Sequence, residues 1–369
     1  MSLVKANTFQ DATGGSNAVF SGVASPPNSM GFRNRIINGD MRIDQRNAGA
    51  SVAAAGYTLD RWVAFESTSA TSVTAQRSTT APAGFTNSLL YTVGTGGSAG
   101  ASEQAVIRQR LEGNNVSDLA FGTASAQSIT VSFRVRSSVT GTYSVAIQNS
   151  AGDRSYVATY TVDAANTWET KSVTIPGDTS GTWLTDSGIG MAALFDLGSG
   201  SGFNTTAGAW AAGDFRKVSG QANVIGTTGA TFYITGVQLE AGTVASPFER
   251  VEYGAMLRAC QRYFAKTFDQ SVAVSASTGS RAGSIPFFFW TTASTNAETA
   301  WQLPAEMRAS PTVTSYAWTG GSANWANNAG GTVGIGTLRS GTRNVGLTVG
   351  GSVGASEQFW IHATVSAEL

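Results

Sequence analysis

Few residues of this chain belong to the types that make or break covalent bonds. In 369 residues there is one histidine, His362, and one cysteine, Cys260. His362 lies in the apolar alternation of "FWIHATV", where it reads as an ordinary strand residue. Cys260 lies on an apolar stripe of helical period, where a thiol behaves as a small hydrophobe. A Ser–His–Asp or Cys–His pair therefore lacks its base, and neither a Cys/His metal cluster nor an intramolecular disulfide is expected. The glycine clusters "GSGSG" (198–202) and "GGTVGIG" (330–336) lack the strand–glycine–helix context of a phosphate cradle. One pair of carboxylates remains. Asp178 and Asp186 flank "TSGTWLT", with Trp183 between them. A glycosidase needs two carboxyl groups about 5–9 Å apart beside a sugar, whereas Asp in a glycine-rich loop commonly closes a turn with its own side chain.

Aromatic residues in polar loops suggest binding chemistry. Trp183, Phe203, Trp210, Trp318 and Trp325 sit among Gly, Ser, Thr and Asn rather than in strand alternation. An exposed indole stacks on the apolar face of a pyranose while nearby Asn or Asp bonds the hydroxyls. The alternative is that a loop Trp folds back and caps the end of a sandwich. "GGSANWANNAGG" (320–331) is the best single candidate, with Trp325 beside Asn324, Asn327 and Asn328. The candidate glycan-binding residues are thus Trp318, Asn324, Trp325, Asn327, Asn328, Trp183 and Trp210. No catalytic residue, metal ligand or cofactor site is expected.

Composition narrows the classes further. Charged residues make up 12% of the chain, against about 25% in an average soluble protein. Glycine is abundant, at 44 residues, which suits short strands joined by tight turns. Twenty-three basic and 23 acidic residues cancel. No dense Lys/Arg run provides the footprint that nucleic-acid binding requires. No apolar stretch approaches the roughly 18 residues of a membrane span; "PFFFW" (286–290) is short and reads as a strand. "MSLVKANTFQDATGG" has no apolar core of secretory type.

The elements that must position these residues are almost all strands, and the expected fold class is all-β. Residues 1–32 are too polar for a core of their own and are expected to be held by a partner chain. In "RNRIINGDMRIDQRN", Asn38-Gly39 predicts a hairpin turn, because both residues accept positive φ; a bulge at a strand start is the alternative. "YTLDRWVAFES" predicts one half-buried strand. "SITVSFRVRSS" alternates Ile129, Val131, Phe133 and Val135 with polar residues, a period of two with one face buried. "GTYSVAIQNS", "SYVATYTVD", "WETKSVTIPGD", "GMAALFDLGSG" and "TFYITGVQLEAG" extend the series to an antiparallel β-sandwich over 33–247. Ser246, Pro247 and Glu249 then have the spacing of a capping box with Pro in the first turn. Tyr253, Met256, Leu257, Cys260, Tyr263 and Phe264 recur at helical spacing, predicting a connector over 248–265. Its exposed stripe offers Tyr253, Leu257 and Phe264 as seam residues of a trimer, or it packs on its own sandwich. About seven strands over 266–369 predict a second, smaller β-sandwich, tied into the sheet at its last strand.

Several of these stretches together resemble a family of phage and prophage tail fibre proteins. They are "NRIINGDMRIDQRNAG", "YTLDRW", "NTWETKSVTIPGDTSGTW", "ATFYITGVQLEAGTVASPFERVEYG", "RACQRYF" and "LPAEMRASPTVT". The resemblance covers roughly 33–369, and residues 1–32 take no part in it. It implies a jelly roll similar to carbohydrate-binding modules, closed by "ITGVQLE", followed by a variable C-terminal β-domain. It also implies a virion structural protein, a homotrimer displaying β-domains towards the bacterial surface, and it transfers no site residue. A chain with one cysteine can fold in a reducing host cytoplasm.

The expected function is therefore a tail fibre receptor-binding protein. Residues 1–32 anchor it to another virion protein and the C-terminal domain meets a host-surface glycan. A purely structural virion piece, such as a head fibre, baseplate or adaptor protein, is the first alternative. A polysaccharide depolymerase is the second.

Overall fold

In the computed structural model, the residues described are 32–68, 71–274, 281–288, 298–319, 324–327, 332–349 and 358–369. The expected attachment segment 1–32 lies, apart from Phe32, outside them. Asn34–Leu369 form one compact unit, and among the described residues it is all-β but for one short α-helix and three single-turn 3-10 helices.

Thirteen strands precede the helix: β1 (Val52–Ala53), β2 (Ala55–Leu59), β3 (Trp62–Glu66), β4 (Ser72–Ser78), β5 (Ser88–Thr95), β6 (Ala105–Glu112), β7 (Ile129–Ser137), β8 (Gly141–Gln148), β9 (Arg154–Val162), β10 (Glu169–Ile175), β11 (Ile189–Asp196), β12 (Trp210–Ala212) and β13 (Thr231–Ala241). They form two antiparallel sheets, in the orders β1-β4-β5-β13-β7-β10 and β12-β9-β8-β11-β6-β3-β2. Alternation explains the stacking. Ile129, Val131, Phe133 and Val135 of β7 face inward, and so do Tyr143, Val145 and Ile147 of β8 and Met191, Ala193 and Phe195 of β11. The two inner faces share one core, as in any sandwich of half-buried sheets. Phe133 stands edge-on to Tyr160 and Phe195, with centroids 4.9 and 5.0 Å away.

Two sequence expectations change here. "YTLDRWVAFES" is not one strand but β2 and β3, antiparallel to each other, with Arg61 between them at φ 70°. "RNRIINGDMRIDQRN" is not a hairpin. Residues 34–51 form an irregular strap, buried along most of its length. Asn38 does take positive φ, at 57°, and turns the chain. Its side chain then bonds Ile43 N (2.9 Å), Ile43 O (2.8 Å) and Asp60 O (3.0 Å). Asn34 Oδ1 accepts from Leu239 N and Ile36 N, each at 3.0 Å. Polar side chains thus satisfy backbone groups that a ladder would otherwise take, which is how Asn competes with regular structure.

Helix α1 spans Tyr253–Gln261. The expected capping box at Ser246–Glu249 does not form. Glu240 of β13 captures Ser246 through its N–H (2.9 Å) and Oγ (2.5 Å), while Gln238 Oε1 accepts Glu249 N (2.8 Å). Residues 246–252 are thereby held against β13 as non-helical chain. The cap is Glu252, whose carboxylate accepts Gly254 N (2.8 Å) and Ala255 N (2.9 Å). An acid at a helix N-terminus also meets the positive end of the dipole.

Eight further strands follow: β14 (Phe264–Lys266), β15 (Ile285–Phe288), β16 (Glu298–Gln302), β17 (Thr312–Ala317), β18 (Asn324–Asn327), β19 (Thr332–Ser340), β20 (Asn344–Val349) and β21 (Gln358–Ser366). β21 pairs with β14, β15, β17 and β18, and β19 carries the ladder on to β20 and β16. The sheet encloses its own core: Phe359, Ile361, Ala363 and Val365 of β21 meet Trp325, Val345 and Leu347. Of "SVAVSAS", residues 271–274 are turn rather than strand and 275–277 lie outside the described residues.

The apolar helix stripe packs inward. Met256, Cys260 and Tyr263 join Ile37 and Ile43 of the strap and Leu369 in one buried cluster. Phe264 does not belong to the helix; it is buried in β14, with the Arg46 guanidinium 3.7 Å from its ring centroid. Leu257 is half-buried against the same cluster. Of the three expected seam residues Tyr253 is exposed, Leu257 half-buried and Phe264 buried.

Candidate functional site

The aromatic loop residues are held mainly by their own fold. Trp325 is completely buried in β18, and its Nε1 donates to Thr348 O at 3.2 Å. It is a core residue, not a platform. Asn324 and Asn327 lie on the same strand. The side chain of Asn324, and Asn328 altogether, lie outside what is described. Trp318 is half-buried and donates to Ala326 O (3.2 Å), with the Arg281 guanidinium 4.9 Å from its ring. Trp183 is buried and donates to Ser180 O (3.1 Å). Trp210, half-buried, donates to Pro176 O (2.8 Å). Trp183 and Trp210 stand edge-on, 5.5 Å apart, and Phe121 packs against both. They cap the end of the first sandwich. Each indole N–H finds a backbone carbonyl, as a buried Trp requires.

The carboxylate pair is also structural. Asp178 is buried and takes a two-pronged bond from Arg154, Nε at 2.8 Å and Nη2 at 2.7 Å, with Ser180 N at 3.1 Å. Asp186 closes a turn onto Gly188 N (2.8 Å). Neither is placed as a proton donor. His362 is buried, stacked on Phe268 at 4.2 Å and bonded to Thr267 Oγ1 at 3.1 Å. Burial holds the Cys260 thiol well above its usual range. Among the described residues no group of three His, Cys, Asp or Glu could hold a metal ion.

A different site emerges on the outer face of the seven-stranded sheet. In β6, Ile107 and Leu111 point to the core, so the residues of opposite parity, Arg108 and Arg110, stand on the outer face. Ala192 and Leu194 of β11, with Ala146 and Val157, form an apolar floor there. Residues 213–218 cross this floor. Ser155 Oγ donates to Gly213 O (2.8 Å) and accepts from Phe215 N (3.2 Å), and Ser144 Oγ accepts from Val218 N (3.2 Å). Phe215 and Val218 pack on the floor, and Asp214 and Arg216 form a wall. The β8–β9 turn supplies the other side. Asn149 Oδ1 accepts Asp153 N and Arg154 N, both at 3.2 Å, and Gly152 turns the chain at φ 67°.

Between them lies a cleft of about 180 Å³, lined among others by Gln104, Arg108, Arg110, Gln148, Asp214 and Arg216. This is below the roughly 300–1,000 Å³ of pockets that swallow a whole small ligand, and suits one residue of a longer chain. Arg216 is itself buried. It pairs with Asp214, donates to Gln104 Oε1 (2.6 Å) and lies 3.9 Å over the Phe203 ring. Gln148 Nε2 donates to Asp214 Oδ1 (2.6 Å) and Phe215 O (2.9 Å). Arg110 Nη1 donates to the main-chain oxygen of Leu369 (2.7 Å). Burial, and then the charges of Arg110 and Arg216, lower the Arg108 pKa to about 10.

The sequence reading did not find this site. Its signal was two arginines two apart in the otherwise apolar "AVIRQRLE", in a chain poor in charge. The other lining residues come from distant segments and have no shared pattern.

No protein-family model matches the sequence, and no curated protein is significantly similar to it. Among solved structures, the chain is similar to the enzymatically active domain of bacteriophage CBA120 tailspike protein 4, at 13% identity and TM-score 0.30 over 57% of this chain and 21% of that one. It is similar to a CBM4 structure at 15% identity and TM-score 0.28, over 56% of this chain and 98% of that one. For TmCBM61 in complex with β-1,4-galactotriose the values are 9% and 0.28, over 57% and 99%. The chain thus spans about a fifth of the tailspike chain. At such identities and scores none of these likenesses bears on what this chain binds.

Proposed function

We propose that this chain is a phage tail fibre protein that binds a glycan of the host surface without cleaving it, the contact being made in the cleft over the seven-stranded sheet. The observation that carries the reading is the cleft itself: a recess lined mainly by guanidinium and carboxamide groups, with Ile189, Ala192 and Leu194 beside them. Gln104 Nε2 and Gln148 Oε1 carry no bond within the described protein, and offer a donor and an acceptor to sugar hydroxyls. The virion role is supported by the long motifs that resemble tail fibre proteins. In this reading residues 1–32 attach to another virion protein, and the chain is a homotrimer whose seam does not include the buried Phe264. Three weak sites on one particle gain strength through effective concentration.

Purified protein applied to an array of bacterial surface glycans is expected to retain a subset of them, with no new reducing ends. Retention of none refutes the glycan reading, and leaves a structural virion piece. Light scattering tests the oligomer: a mass near 38 kDa refutes the trimer.

A further inference from the structure

The charges of the cleft do not balance. Three guanidinium groups, Arg108, Arg110 and Arg216, line it against one carboxylate, Asp214. Arg216 takes Asp214 as its partner, and Arg110 reaches the Leu369 oxygen. The side chain of Arg108 makes no hydrogen bond or ion pair with any described residue. Its Nε is buried without a partner, while its two outer nitrogens are neither buried nor bonded. The Phe65 ring, 5.9 Å from the guanidinium carbon, and the Asp214 charge offset only part of what burial costs this arginine, on a strand that the core holds from the other side. The lowered pKa of Arg108 has the same origin, burial and two like charges. A bound anion would remove both penalties.

We propose that the cleft takes a sugar residue bearing an acid group, which pairs with the outer nitrogens of Arg108. This rests on reading the cleft as a glycan site, and names the class of glycan. A planar guanidinium matches a carboxylate or phosphate with two parallel bonds, which gives direction as well as strength. Arg110 and Arg216 add to the attraction, and Gln104 and Gln148 bond the hydroxyls beside the acid group. A neutral sugar of the same shape leaves Arg108 unpaired and is disfavoured for that reason.

The test uses the full chain on a glycan panel in matched pairs: uronic and nonulosonic acid glycans with their methyl esters, and phosphate-bearing glycans with their phosphatase-treated forms. The expected result is binding of at least one acidic form about tenfold or more tighter than its neutral partner, one charged hydrogen-bonded contact being worth that much. The pair that shows the difference identifies the acid as carboxylate or phosphate. Arg108→Gln is expected to abolish the difference, and Arg108→Lys to restore only part of it, keeping the charge without the fork. Arg134→Gln, on the opposite sheet, is expected to leave it intact. Thermal melting of each variant separates lost contacts from lost folding. Equal binding of acidic and neutral forms overturns the acid preference while the glycan reading stands. A difference that survives in a folded Arg108→Gln overturns the role of Arg108. Binding to no glycan overturns both readings.

Discussion

Glu112, at the end of β6, holds Arg262, just beyond α1, with two parallel hydrogen bonds of 2.6 and 2.9 Å. The acid is fully buried on one sandwich, and the base stands at the entry to the other. Tyr263 Oη adds a third bond at 2.6 Å and Asn114 a fourth at 3.0 Å. Burial pushes the Glu112 carboxyl up, but bonds from Arg262, Tyr263 and Asn114 outweigh it and hold the pKa below the usual range. A depressed carboxyl pKa contributes stability that is present above the unfolded value and is lost as pH falls through the folded one. Glu112→Ala is therefore expected to cost about 3 kcal/mol near neutral pH, since it strands a partly buried arginine and a tyrosine. The deficit should shrink on acidification below pH 4.5. Urea unfolding of both proteins across that range checks it; a constant deficit contradicts the assignment.

Asp60 has the opposite sign. It is fully buried, and desolvation raises its pKa to about 6 despite the Arg46 charge and two Gln45 bonds of 2.6 Å. A raised carboxyl pKa contributes stability below the unfolded value of 3.8 that is lost as pH rises through about 6. The size is about 3 kcal/mol for roughly two units. Wild type is expected to weaken between pH 4 and 7 from this group, and Asp60→Asn to lack that component. Chemical denaturation at matched pH values decides; parallel curves would sink the idea.

Trp325→Ala is expected to destabilise the second sandwich by about 3–5 kcal/mol, the cost of a large cavity, because the indole is wholly enclosed. Trp325→Phe should cost less. Where the variant remains folded, its glycan retention should match wild type. Selective loss of binding in a fully stable variant would return Trp325 to the list of ligand contacts.

Gly39→Ala should unseat the strap. An added Cβ would lie 2.2 Å from Val237 O, and Gly39 O accepts Val237 N at 3.0 Å. Backbone cannot yield as a side chain can, so a loss of about 2–3 kcal/mol is expected. Denaturation midpoints measure it, and a neutral result would mean that the strap is free to shift.

A strand with one buried face was legible because alternation records burial directly, as in β7. What escaped were the places where a side chain replaces backbone pairing. Asn34 and Asn38 turn a would-be hairpin into a strap, and Glu240 and Gln238 take Ser246 and Glu249 away from a helix cap. β18 escaped because glycines and asparagines around Trp325 resemble a loop, although the indole lies inside. Between a platform and a cap the sequence could not choose for the tryptophans, because local polarity says nothing about whether an N–H finds a carbonyl in the fold. The cleft was hidden because β6, β11, the β8–β9 turn and residues 213–218 meet only in three dimensions.

Two of the ties that join the sandwiches stand at different points of the chain. One is the covalent run through Arg262 and β14, locked by Glu112. The other is Glu368, gripped by Arg46 and by the buried Arg61, with Arg308 bracing the neighbouring main-chain oxygens of Ala367 and Glu368. Tethered at these and other points, the pair cannot swivel about a single pivot. A pull on the second sandwich would load these ties together, so the unit should carry torque as a rigid strut rather than bend like a flail.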